Sequence, residues 1–493
     1  MSDHKAEIYY YDIGDYLSRE QKLDIITNFK SMENLPFTRL TPNTHGDWLS
    51  QRNDKFGTWI PIGDKDNKDN RSTVFLPKYA RGVGTSRDQW AYNFSKQVCL
   101  DSMKRSDSFF NQQRKAYQEA VAKNPDLTVE DFIDTDERKI SWSRAYRNDV
   151  KRNCEHKFDE KFSRVGLYRP FCTQNLYFDR NVLNDVAGIY NMFPTTSHKN
   201  LVICVSGLGG SKVNSSLIVN TIPDLNTLDS GTQCFPLYWY ETIEPDQNSL
   251  FGDDDAQIVK HEAVSDFILE RAQSKYGNKV QREDIFYYVY GILHSKSYRE
   301  TFSADLKKML PRIPLVSDYE KFWAFSKAGR DLANLHLNYE KVAPCPDVSV
   351  ESLNNAVFEI PKPRNASDDA FMVAEGNASA NPDEYAYYAV EQMKFPKKGQ
   401  KDTIIYNHYH TIKNIPEKAY EYVVNGKSAI EWIMERYAVT TDQKSGITNN
   451  PNDWSREHEK PRYIFDLLLS VINVSVQTVG IVNGLPEVDW DKE

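Results

Sequence analysis

The 493-residue sequence has no Cys-x-x-Cys pair: Cys99, Cys154, Cys172, Cys204, Cys234 and Cys345 are scattered, so no cysteine framework is expected. Nothing at the N-terminus resembles a signal peptide, and a reducing cytoplasm is the expected compartment. An uninterrupted apolar run is missing as well. The longest, Ile464 to Val482, contains Asp466, Asn473 and Gln477, which would be costly in lipid, so a buried helix is expected and no membrane partner. Positive net charge is also lacking. With 61 Lys and Arg against 70 Asp and Glu, the formal charge of -9 argues against an indiscriminate nucleic-acid binder, because phosphate contacts supply most non-specific affinity. Disorder is excluded by an apolar content of 40%, and the length allows two or three domains with proper cores.

Along the chain, Glu7 to Ile13 has the β-branched and aromatic content of a strand, and Gly14 followed by Ser18-Arg-Glu-Gln21 predicts a turn and a capped helix. Residues 36 to 95 are rich in loop signals and include a polar tract from Asp64 to Arg71. From Phe94 to Phe162 the pattern predicts long helices, broken at Asn124-Pro125. After Gly166 short strands are expected at Leu201–Val205, Ser216–Val219 and Phe235–Tyr240. Helices are expected at Val259–Ser274, Arg282–Leu293, Ser297–Leu310 and Ser428–Tyr437, and after Pro461. Pro361 to Asp383 reads as a surface loop, and Thr403 to Asn407 as part of a β-rich piece. The fold class is therefore α/β, mixed α+β, without an evident internal repeat.

Charge is unevenly distributed. Between Arg138 and Arg180 there are eleven Lys and Arg against five Asp and Glu, which fits either a solvated helix face with ion pairs or a phosphate track. Ser297 and Glu300 have capping-box spacing, and Tyr298, Phe302, Leu306 and Leu310 recur at i+4, with Pro311 as the stop. Arg299, Lys307, Lys308 and Arg312 lie off that apolar face. On those residues alone, dipole compensation by the late lysines is the favoured reading.

Catalytic constellations are weak. Val205-Ser-Gly-Leu-Gly-Gly-Ser-Lys212 lacks P-loop spacing and reads as a tight turn after a strand, with Lys212 available to a phosphate. Asp126, Glu137 and Lys139 have the loose spacing of a metal-dependent nuclease but sit in charged helix and loop, so the match reads as accidental. His408 and His410, and His45 near Asp47, lack further ligands at metal-site spacing, and no metal site is expected. No nucleophile elbow is present.

Several segments occur as recognisable words in order: Tyr168-Arg-Pro-Phe171 with Leu176-Tyr-Phe-Asp-Arg180, Cys234 to Tyr240, Tyr290-Gly-Ile-Leu-His-Ser295, Tyr298-Arg-Glu-Thr-Phe302 and Leu310-Pro-Arg-Ile-Pro-Leu315. Phe322-Trp-Ala-Phe-Ser326, Leu335 to Glu340, Ile415 to Tyr420, Val424 to Ile433 and Asn450 to Trp454 follow. Together they resemble the C-terminal target-recognition region of single-chain Type ISP restriction-modification enzymes, over nearly the whole chain. The resemblance implies residues 1–95 as the C-terminal edge of an adenine-N6 methyltransferase domain, 96–165 as a helical spacer and 166–493 as the recognition domain.

That likeness implies double-stranded DNA as the partner. It also implies S-adenosylmethionine, ATP and Mg2+ as cofactors of methyltransferase and helicase/nuclease domains, and this chain has no credible site for any of them. No Pro-Pro dipeptide occurs, so the loop that would hold a flipped adenine is missing. The chain thus reads as a split subunit, a fragment or a relic, with a separately encoded methyltransferase/helicase polypeptide as a further expected partner. Candidate DNA contacts are Asn43, Asp47, Arg52, Lys78, Arg81, Thr85, Arg87, Arg147, Lys151, Arg169, Arg180, Lys212, Arg299, Lys307, Lys308 and Arg312. Around Gly82 and Gly84 bare backbone would let a phosphate approach closely, whereas the structural alternative is a turn with Arg87 paired to Asp88. The rival function is a scaffold or an inactive relic with merely solvated basic patches.

Overall fold

A computed structural model describes residues 6–65, 73–243, 257–353 and 384–493. The loop expected at Pro361 to Asp383 lies outside the described residues, as does most of the Asp64 to Arg71 tract. At the N-terminus β1 (Ile8–Tyr10) pairs antiparallel with β2 (Thr38–Leu40) around α1 (Arg19–Asn28). The expected cap forms: Ser18 Oγ accepts from the Gln21 N–H at 3.2 Å, and Gln21 Oε1 accepts from the Ser18 N–H at 2.8 Å. α1 buries none of its residues.

Next come β3 (Ile60–Pro61), β4 (Ala80–Arg81), β5 (Tyr92–Asn93), α2 (Lys96–Val121), α3 (Arg144–Lys151), β6 (Ser163–Arg169) and β7 (Cys172–Tyr177). The stretch expected as a spacer lies along the sheet that holds β5 to β7, where α2 buries Cys99, Met103 and Phe110. Then follow β8 (Val202–Val205), β9 (Ser216–Val219), β10 (Ile222–Pro223), β11 (Gln233–Pro236), β12 (Tyr238–Ile243) and β13 (Gln257–Glu262). The order in one sheet is β10-β6-β7-β5 and in a second β4-β11-β8-β9.

The second sheet is apolar on both faces. Val202, Cys204, Leu217, Val219 and Cys234 enter one core, whereas Ile203, Val205, Ile218 and Phe235 enter the other. Side chains alternate across a strand, so a sheet buried on both sides needs a continuous apolar run such as Val202 to Val205. The second core is helical: α4 (Asp266–Tyr276), α5 (Arg282–His294), α6 (Lys296–Thr301), α7 (Ser303–Lys308), and, after β14 (Arg312–Ile313), α8 (Tyr319–Leu337). The chain continues through β15 (Ser349–Ser352), β16 (Ile404–Ile405), β17 (His410–Lys413) and α9 (Ala429–Arg436) to α10 (Tyr463–Asn483). α10 is the one helix among the described residues long and apolar enough to cross a membrane, yet most of its surface is buried in the protein. Two of its polar interruptions have partners, Asp466 pairing with Arg462 at 2.9 Å one turn away and Asn473 donating to the Ala343 carbonyl at 2.7 Å.

Two expected helices differ. Residues 257–262 form β13, paired with β12, and the helix starts only at Asp266, where Ser265 Oγ accepts from the Ile268 N–H. The Ser297–Leu310 helix is two short helices, the first capped by Ser295, whose Oγ accepts from the Tyr298 N–H at 3.4 Å. Ser297 instead accepts from the Trp490 indole at 3.1 Å. At Phe302 the backbone leaves helical geometry (φ -106°, ψ 24°), which seats its ring among Phe56, Trp59 and Trp490. The expected apolar face of Tyr298, Phe302 and Leu306 is buried there.

Candidate functional site

Many of the sequence-derived cations and polar groups are consumed by the fold. Asp47 anchors one cluster. It pairs with Arg52 at 2.9 Å and with Lys308 at 2.6 Å, while the Asn43 amide donates to it at 3.1 Å. The Arg52 and Lys308 hydrogen bonds hold its carboxyl well below the usual carboxylate range. Arg312 donates to the carbonyls of Gly57 and Trp59 at 3.1 and 2.8 Å, tying β14 to the turn before β3. Arg169 is largely buried between Asp224 (2.8 Å) and Asp88 (3.7 Å) and lies over the Tyr168 ring. Arg81 pairs with Asp185 at 2.9 Å. Thr85 is buried, donates to Asp88 and accepts from the Arg87 N–H at 3.0 Å.

Arg87 corrects both sequence readings, surface contact and pairing with Asp88. It is 3% exposed, donates from Nη2 to Ser143 Oγ at 3.0 Å, and lies 3.3 Å from the centre of the Tyr146 ring. Its Nε and Nη1 have no partner. Close by is a group that sequence reasoning missed: Asp107, 2% exposed, with neither carboxylate oxygen partnered. Burial, assisted by the charge of Asp179, pushes its pKa up to about 7. His156 stacks on Phe110 at 3.8 Å and faces Asp149 at 3.1 Å, and burial lowers its pKa. Asp107 sits on the buried stripe of α2 at helical spacing from Met103 and Phe110, a periodicity visible in the sequence.

A smaller set stays available to a ligand. Lys78, Lys212 and Lys307 are exposed and have no ion-pair partner among the described residues. Arg180 is exposed and covers the Tyr190 ring at 4.4 Å. On α3 the apolar side chains Tyr146 and Val150 point inward, while Arg144, Arg147 and Lys151, at spacings of three and four, share another face. Only Lys151 on that face has an ion pair, a 3.5 Å exposed contact with Glu130 that contributes little. Arg144, counted only within the basic tract from sequence, completes this face. Arg299 lines a cavity instead of the outer surface.

The glycine-rich segment is the β8–β9 hairpin, where the Gly209 N–H donates to the Lys307 carbonyl at 2.8 Å and the Lys212 N–H to the Asp229 carboxylate at 3.0 Å. A Cβ on Gly207 would meet the Ser230 carbonyl oxygen at 1.9 Å, so close backbone approach explains that glycine. Lys139 pairs with Asp134 at 2.6 Å and Glu137 with Lys444 at 3.1 Å, so separate partners engage the two nuclease-like residues. His410 is buried against Ser352 at 2.8 Å, and His45 lies 3.4 Å from Asp54.

The family model of the Type ISP C-terminal specificity domain matches residues 74–467. Over 99% of its length the chain is similar to a nuclease-deletion mutant of the Type ISP restriction-modification enzyme LlaGI, solved with a DNA substrate mimic, at 35% identity and a TM-score of 0.78. It is similar over the same share to the ATP-dependent Type ISP enzyme LlaBIII bound to DNA, at 36% identity and a TM-score of 0.78. The chain spans 40% and 28% of those two solved chains. A DrdV–DNA complex shares the fold, with a TM-score of 0.75 and 24% identity over 97% of this chain and 43% of that one. No curated protein sequence matches. The match across residues 74–467 and the whole-length likeness to two Type ISP enzymes show that the chain belongs to the Type ISP C-terminal specificity domain family.

Proposed function

We propose that the chain reads an asymmetric site on duplex DNA as the target-specificity part of a Type ISP restriction-modification system. The observation that carries this reading is its whole-length likeness to LlaGI and LlaBIII, both solved on DNA or a DNA mimic. Free cations supply the chemistry such a role needs: the α3 face, Lys78, Arg180, Lys212 and Lys307 would position phosphates, while neighbouring loop side chains read base edges. A net charge of -9 suits a reader that concentrates its cations on limited faces. Six free cysteines suit the cytoplasm.

Methyl transfer, ATP-driven motion and cleavage, with S-adenosylmethionine, ATP and Mg2+, would belong to methyltransferase and helicase/nuclease domains beyond the residues described. The β1–α1–β2 unit is the surface we assign to the methyltransferase, because it leaves Leu23, Ile26, Met32 and Phe37 exposed. Selection of duplexes from a randomised pool at low salt tests the central claim. Enrichment of one asymmetric sequence supports it, whereas absence of duplex binding at low salt overturns it.

A further inference from the structure

A cavity of about 770 Å³ opens between α6 and the C-terminal half of α10, closed on one side by the β8–β9 hairpin. Val213, Val423, Val479 and Val482 make its wall largely apolar. Arg299 breaks that wall. Its side chain is mostly buried and makes no hydrogen bond or ion pair among the described residues, and its Nε is sealed from water without an acceptor. Glu300 and Glu421 stand on the exposed rim, and neither comes within ion-pair distance of the guanidinium.

Two further groups on the same wall are incomplete. His294 Nδ1 lies 2.9 Å from the Tyr290 carbonyl, so the ring proton belongs there and Nε2 keeps an acceptor lone pair. The Tyr422 hydroxyl is buried without a partner. A buried guanidinium lacking a counter-ion is costly, and an anion entering the cavity would remove that cost. The volume is that of a small-molecule site, and the mixture of an apolar wall with a few convergent polar groups is what such sites use.

We propose that this cavity binds a small organic anion, a phosphate or carboxylate carrying an apolar body and a hydrogen-bond donor, with Arg299 as its counter-ion and His294 Nε2 as acceptor. A nucleoside monophosphate has all three features: phosphate for Arg299, a flat base for the valine wall and an amino group for His294. The site is separate from the α3 face.

Calorimetric titration of the full chain with AMP, adenosine and inorganic phosphate tests it. AMP should bind, and adenosine and inorganic phosphate should each bind at least about tenfold more weakly. Arg299→Met should erase the preference for AMP over adenosine while the protein stays folded, since the change removes an unpaired buried charge. Val213→Trp, which fills the mouth from an exposed hairpin position and leaves Arg299 in place, should weaken AMP at least about tenfold. No AMP binding at millimolar concentration, equal affinity for adenosine, or unchanged AMP affinity in Arg299→Met would overturn the proposal.

Discussion

Lys308 and Asp47 are 261 residues apart in sequence and 2.6 Å apart in space, whereas Lys307, one position earlier, faces solvent without an ion pair among the described residues. Successive helical residues diverge by more than a quarter turn, so adjacent lysines have different duties. Lys308 is a fastener between α7 and the loop before β3. Lys307 is free.

The two lysines should therefore separate experimentally. Lys308→Ala should lower the melting temperature at neutral pH, because Asp47 keeps only Arg52 as its charged partner. A carboxylate whose folded pKa is depressed contributes stability above its unfolded value of about 3.9 and loses it as pH falls through the folded value. The deficit of Lys308→Ala should consequently be fully present at pH 7 and shrink in acid. Lys307→Ala should leave melting unchanged and, under the DNA reading, lower the salt slope of duplex binding by about one. Equal melting curves for wild type and Lys308→Ala would dismiss the fastener.

A second prediction concerns the crossing of α5 and α8. A Cβ on Gly329 would meet the Tyr287 carbonyl oxygen at 1.9 Å, and one on Gly291 the Phe325 carbonyl oxygen at 2.3 Å. Both clashes are with backbone, so the helices must separate to admit a methyl group. Gly329→Ala should destabilise by at least about 1 to 3 kcal/mol in denaturant unfolding, despite the gain in helix propensity. A neutral or stabilised variant would mean that the helices separate without cost.

This crossing also shows what was legible in the sequence. The segments Tyr290 to Ser295 and Leu335 to Glu340 carried the family likeness, and the structure gives them packing roles. Tyr290 OH accepts from the Ile218 N–H at 3.0 Å and meets His336 Nδ1 at 2.6 Å, and His336 Nε2 meets Thr478 at 3.0 Å. Strands β8 and β9, helices α5, α9 and α10 and the Ser18 cap were readable because periodicity and capping are local. The break at Phe302 and the strand at Gln257–Glu262 were not, because an aromatic cluster and a hairpin partner decide them. For the same reason sequence alone could not tell Arg87, under the Tyr146 ring, from Arg144 in solvent.

Asp107 yields a pH-dependent prediction. Its folded pKa of about 7 lies above the unfolded carboxylate value, so the folded state holds a proton that the unfolded state has released, and stability falls as pH rises between the two. Asp107→Asn removes the buried charge. Relative to wild type it should raise the melting temperature at pH 8 and do little at pH 4. The limit is on the order of a few kcal/mol, given about 1.4 kcal/mol per pKa unit. A gain independent of pH would show that Asp107 does not titrate in the folded protein.

The face of α3 decides the proposed DNA role most directly. Arg144 and Arg147 lie away from the buried Tyr146 and Val150 and have no ion pair among the described residues. Replacing both with Ala should shift stability by no more than about 1 kcal/mol, about 0.5 kcal/mol for each position. If the face holds phosphates, the double variant should bind every duplex more weakly, selected site and random sequence alike, because phosphate contacts carry no base information. Its log-log salt slope should also be shallower by up to about two, one for each phosphate no longer neutralised. Lys139→Ala, taken from the Asp134 ion pair in the same basic tract, serves as a charge-matched control for half of that change and should leave the slope unaltered. Identical slopes for wild type and the α3 double variant would make this helix face a solvated one, leaving Lys78, Arg180, Lys212 and Lys307 as the remaining cations of the candidate set for a DNA surface.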